Sequence, residues 1–175
     1  SLINAFKISG RTNDGLGIGI LNAITEKTST SIYNNYSGAI RKEIEPLANY
    51  NVLVLDQRFR KNSSVAFVNT NVARNGSFRD ANVTALVWDL NTKKNTYNLS
   101  GDFKYSYING VEDKKGINSQ LNFSETSGKY RYGVGADITT KDFDPNDLGL
   151  NFETNYYSIY GNTSYRILNP TKYFN

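Results

Sequence analysis

The chain has 175 residues, a formal net charge of +4, and no cysteine, histidine or methionine. A disulfide framework and a Cys/His metal site are therefore excluded, and the commonest general base is missing. The basic residues are scattered through the chain, which argues against a nucleic-acid partner, and no apolar run approaches the ~18–20 residues of a membrane helix.

Thirteen tyrosines, nine phenylalanines and fourteen glycines favour strands and bends. Ser1 leads straight into a strand-like run with no signal peptide ahead of it; the chain is expected to be processed or to be a piece of something longer. Leu2 to Gly10 alternates weakly, and Asp14-Gly15 marks a hairpin turn. Leu16, Ile18 and Ile20 then alternate with Gly15, Gly17 and Gly19. This G-x-G-x-G lacks phosphate-loop spacing and lies within a strand, so its glycines give room to a close neighbour. Glu26 to Pro46 reads as a long polar connection hiding a short strand extension through Ile32 and Tyr36. Strands follow at Asn49–Gln57, Ser63–Val72 and Ala81–Leu90. The runs Val52–Leu55 and Val83–Leu90 are apolar on both parities, which predicts packing against a plug or another domain.

Thr96 to Tyr107 carries the clearest pattern. Tyr97, Leu99, Gly101, Phe103, Tyr105 and Tyr107 share one parity; Thr96, Asn98, Ser100, Asp102, Lys104 and Ser106 share the other. One face is apolar and the other polar, over the ~9–11 residues a tilted strand needs to cross a bilayer. Gly116–Thr126 and Lys129–Thr139 repeat it around a Ser127-Gly128 turn, and the last strand runs from about Asn155 to Leu168, ended by Asn169-Pro170.

The connections alternate between shorter turns, at Asp14, Lys61, Lys93 and Gly128, and longer loops, around Tyr33, Gly76, Val111 and Pro145. Up-and-down membrane barrels place tight turns in the periplasm and longer loops outside. The expected fold is all-β: an antiparallel up-and-down meander of about nine strands, part of a transmembrane outer-membrane β-barrel. Nine is odd and an open sheet cannot span lipid, so residues 1–175 are expected to be one segment of a larger barrel. Leu99, Phe103, Tyr105, Leu121, Phe123, Tyr132, Val134, Ile138 and Ile159 are expected to face lipid, and Asp102, Lys104, Arg131 and Asp137 the lumen.

Three features bear on chemistry. Asp142, Asp144 and Asn146 have the alternating oxygen spacing of a calcium loop, but Asp147 stands where that loop has glycine and no glutamate closes it. A turn whose side chains bond their own backbone fits the same residues. Asp102 and Asp137 are a candidate hydrolase pair, with a charged lumen wall alongside Lys104 and Arg131 as the plainer reading. Trp88 and the strand-end tyrosines suit either a sugar platform or a membrane girdle.

The stretches S-G-R-T-N-D-G-L-G-I-G-I-L-N-A-I-T (9–25), E-P-L-A-N-Y-N-V-L-V-L-D-Q (45–57), F-R-D-A-N-V-T (78–84) and D-P-N-D-L-G (144–149) resemble a known family. It is the large C-terminal domain of unknown function of Bacteroidetes outer-membrane proteins, which follows a module similar to family-9 carbohydrate-binding modules. The resemblance implies an outer-membrane location in a Gram-negative bacterium and a glycan-related role for the intact protein.

The expected function is a non-enzymatic membrane anchor or transport conduit, with no cofactor beyond the calcium candidate. Its expected partners are membrane lipid, the remaining strands of the barrel, and a glycan or plug domain. The alternative is a soluble secreted β-sheet module that binds a glycan or a protein through exposed aromatics.

Overall fold

The computed structural model describes residues 1–34, 38–149 and 151–167. These form eleven strands and, among the described residues, no helix. The strands are β1 (Leu2–Arg11), β2 (Leu16–Thr25), β3 (Thr28–Asn34), β4 (Gly38–Glu45), β5 (Ala48–Phe59), β6 (Ser63–Arg74), β7 (Asp80–Asn91), β8 (Tyr97–Asn109), β9 (Lys114–Glu125), β10 (Tyr130–Thr139) and β11 (Tyr156–Tyr165). Nine make one antiparallel sheet in the order β1-β2-β5-β6-β7-β8-β9-β10-β11. The meander of about nine strands read from the sequence is therefore present. The sheet is open, with β1 and β11 as its edges, and the described residues form no closed barrel.

The segment read as a polar connection is a hairpin of its own, β3 against β4, with Ile32 opposite Ile40. Both of its faces are exposed, so no burial contrast marked the strands in the sequence. Tyr36 lies outside the described residues, as do Leu168 and Asn169-Pro170 at the far end. The connections alternate less than expected. Residues 75–79 and 110–113 are as short as the turns 60–62, 92–96 and 126–129 opposite them. Only the β2–β5 and β10–β11 connections are long, and both leave from the same end of the sheet. At the tight-turn end Arg60 and Lys61 take left-handed backbone (φ 53° and 63°), and Gly15 does so at φ 89°.

Ladder partners share a face, so the register sorts every side chain onto one of two faces. Face A holds Ile18, Leu55, Phe67, Leu86 and Phe103, each opposite the next. Face B holds Asp102, Gln120 and Asp137 in another such row. The burial is inverted relative to a water-soluble sheet. Along β10 the face A residues Tyr132, Val134, Ala136 and Ile138 are exposed, while Gly133, Gly135 and Thr139 on face B are buried.

The only deep cluster among the described residues is small: Val72, Ala81 and Ile108, with Tyr50 packed against it. The chain exposes 12575 Å². A globular protein of its 19.6 kDa would expose about 8,600 Å² by the usual size scaling. The sheet is one layer with little of its surface hidden.

One segment does fold back. Residues 140–149, the first part of the β10–β11 connection, lie on face B as a strap. In the sequence the loop around Pro145 reads only as one of the longer connections. Phe143 is buried against Gly116, where an added Cβ would fall on the Phe143 backbone. The Asp144 N–H donates to Ser106 Oγ at 3.0 Å, and the Ile117 N–H donates to Thr140 Oγ1 at 2.8 Å. A Gly116→Val variant should lift the strap. We expect a loss of about 1–3 kcal/mol in equilibrium unfolding, and new protease cleavage within residues 140–149.

Candidate functional site

All nine residues expected to face lipid lie on face A. Leu99 is opposite Phe123 and Phe123 opposite Val134; Leu121 is opposite Ala136, and Ala136 opposite Ile159. Phe103, Tyr105, Tyr132 and Ile138 share their parity. They are bare: Phe103 is 43%, Val134 57% and Ile159 81% exposed. Aromatic rings gather at the tight-turn end of this belt. Tyr97 stacks on Phe123 with ring centroids 5.8 Å apart, and Tyr130 packs on Tyr165 at 4.6 Å. At the other end Lys115 Nζ sits 5.4 Å from the Tyr107 ring centre. Trp88 is half-buried on the same face over Gly101.

A feature the sequence reading missed bounds the belt. Asn22, Asn51, Asn71 and Asn82 stand opposite one another across β2, β5, β6 and β7, and Tyr107 and Lys115 extend the row. Asn22 Nδ2 donates to Asn49 Oδ1 at 2.5 Å and to Asn51 Oδ1 at 2.8 Å; Asn69 Nδ2 donates to Thr84 Oγ1 at 2.9 Å. The signal was present, since these asparagines interrupt otherwise apolar parities, but only the register aligns them.

Face B holds the four residues expected to face a lumen: Asp102, Lys104, Arg131 and Asp137. Asp102 and Asp137 share a row with Gln120 between them, which places them two strand spacings apart, about 10 Å between backbones. Lys104 Nζ lies 3.0 Å from Asp102 Oδ1 and donates to Asn118 Oδ1 at 2.9 Å, and Asn118 donates to Thr139 Oγ1. Gln120 donates to Tyr160 Oη, which donates to Asn122 Oδ1. Arg131 turns to the Gly128 carbonyl. Asp102 Oδ1 is buried beside the Lys104 ammonium, an ion pair without hydrogen-bond geometry. The row presents polar groups to whatever occupies face B.

Of the calcium candidates, Asp144 and Asn146 already have partners. Asp144 Oδ1 accepts the Asn146 N–H at 3.0 Å, forming the self-bonded turn that competed with the calcium reading, and Asp144 Oδ2 pairs with Arg79 at 3.1 Å. Asp142 is exposed, and among the described residues no three acidic side chains gather to hold a metal. The residue that anchors the strap is Asp147, with 8% of its side chain exposed: Oδ1 pairs with Arg74 and Oδ2 with Arg79 at 3.0 Å. Arg74 also donates to the Arg79 carbonyl at 2.7 Å.

Burial pushes the Asp144 carboxyl up, but the Asn146 N–H and the Arg79 guanidinium outweigh it and hold it below its usual value. A folded-state pKa below the unfolded one stabilises above the unfolded value of about 3.9, and that contribution is lost as pH falls through the folded value. The strap should therefore stay closed from neutral pH down to about pH 4 and loosen below it, read as protease sensitivity of residues 140–149. Asp147→Asn should loosen it at neutral pH, by about 3 kcal/mol, because Arg74 would lose the partner of its largely buried charge. Asp144→Asn should cost less, since Arg79 is half-exposed.

No curated protein and no solved structure matches this chain. A domain family, DUF5916, a domain of unknown function, matches residues 1–175. The match runs the whole length of the open sheet, its hairpin and its strap, and the chain belongs to the DUF5916 family.

Proposed function

We propose that this chain is part of the wall of a transmembrane β-barrel in the outer membrane of a Gram-negative bacterium, serving as a non-enzymatic anchor or conduit. Face A meets lipid, and face B with its strap lines the lumen. The observation that carries this reading is the inversion of burial: the apolar face is bare and the polar face is shaded.

Dimensions support it. From Tyr97 to Tyr107 is about 33 Å along the strand, which a tilt of about 40° reduces to about 25 Å, the height of a barrel's apolar band. The belt also runs diagonally. It begins with Phe6 on β1, level with the asparagine row, and reaches Tyr130 and Tyr165 on β10 and β11 near the tight turns. Tilted strands crossing a level slab give this offset.

The two edges support the larger barrel. β1 and β11 are long, lack proline, and leave one side of each backbone unpaired. In lipid both would need partner strands, which a longer chain supplies. The resemblance of residues 9–25, 45–57, 78–84 and 144–149 to the C-terminal domain of Bacteroidetes outer-membrane proteins points the same way, and adds a glycan-related role through a carbohydrate-binding module ahead of it.

A soluble secreted module would need a second layer over the same belt, or a glycan or protein seated on its aromatics. The two readings part on charge. In the intact protein folded into phospholipid vesicles, Phe103→Arg and Val134→Arg should each cost about 2–4 kcal/mol in urea unfolding. Arg at Ser164, on face B of the exposed edge strand, should be neutral by comparison. Tolerance of both face A substitutions, or a monomer that stays soluble without detergent, would refute the membrane reading.

A further inference from the structure

We propose that the cavity where the strap meets the β4–β5 corner binds a small organic cation carrying an ammonium or guanidinium group. This holds whether or not face A meets lipid. The cavity has a volume of about 400 Å³ and lies on the face B side at the strap end of the sheet. Tyr50 and Phe78 contribute aromatic walls, and Glu45, Arg74, Arg79 and Asp147 contribute charge. Its size falls within the range of small-molecule sites.

The sign of the ligand follows from what is already paired. The terminal nitrogens of Arg74 are used by Asp147 and the Arg79 carbonyl, and those of Arg79 by Asp144 and Asp147. Both oxygens of Asp147 are consumed by the same pairs. The arginines therefore have little left for an incoming anion, which would have to displace Asp147 and open the strap.

Glu45 remains. Among the described residues it makes no ion pair and no side-chain hydrogen bond, and it stands on the cavity rim. A free carboxylate with aromatic faces nearby is the chemistry that selects a cation: the carboxylate neutralises its charge and the ring faces attract it. A neutral polyol would use the rings but not the charge.

The test uses the intact protein in detergent, with tetraethylammonium as probe and sucrose and disodium maleate as comparators, by isothermal titration calorimetry. Tetraethylammonium should bind in the millimolar range, more weakly as salt rises, and neither comparator should bind. Glu45→Gln should weaken binding at least tenfold and Phe78→Ala about fivefold. Both residues are on the surface, and an unchanged circular dichroism spectrum would establish that the variants fold. Asp137→Asn, elsewhere on face B, should leave binding unchanged. Absence of tetraethylammonium binding, binding insensitive to Glu45→Gln and Phe78→Ala, or preferential binding of maleate or sucrose would overturn the proposal.

Discussion

Backbone pairing between neighbours is what carries this sheet from one edge strand to the other. In the ladder each strand of the nine pairs only with the strands beside it, and β1 does not pair with β11. Among the described residues there is no interior apart from the patch under the strap. Both faces must therefore find a solvent, and the two make opposite demands. Face A offers Phe103, Val134 and Ile159, which water does not favour; face B beyond β7 offers Asp102, Lys104, Gln120 and Asp137, which hydrocarbon does not favour. A two-layer sandwich would hide its apolar faces together. Among the described residues nothing covers face A, and on the proposed barrel reading lipid does.

The strands were legible in the sequence wherever the two faces see different surroundings. β8 and β10 alternate because face A is bare and face B is filled with hydrogen-bonding side chains, and the period of two records that contrast. β3 and β4 left no such record, since all the side chains described in them except the half-buried Ser29 are exposed. The glycines of β2 were read as making room. Gly17 does so, lying beneath the guanidinium of Arg11, which pairs with Asp56 across the same face; an added Cβ would stand 2.8 Å from Arg11 Nη2.

The strap was not legible. Its partners lie far away in the chain: Arg74 and Arg79 for Asp147, and Gly116 for Phe143. Local spacing suggested calcium because a turn rich in Asp and Asn looks the same whether its oxygens meet a metal, their own N–H groups or a distant arginine. Here Asp144 meets both the Asn146 N–H of its own turn and Arg79, because the β6–β7 loop lies under the strap.

The strap also bears on the runs of β5 and β7 that are apolar on both parities. At the strap end, Val72, Ala81 and Val83 lie under Pro145 and Leu148, so part of the cover these strands require is the chain's own. Toward the tight turns the cover stops. Val52, Val54, Val68 and Val87 occupy face B there, and Val87 is exposed. Face B is thus divided near the boundary of β7 and β8: apolar on β5 to β7, and a lattice of paired polar side chains on β8 to β11. A water-filled channel would disfavour the first half and a packed plug the second. On the proposed barrel reading the lumen is not uniform, with a dry seat against β5 to β7 and a wet passage along Asp102, Gln120 and Asp137. The strap is anchored on the dry side through Arg74 and Arg79 and reaches the wet side through Ser106, so it ties the two together.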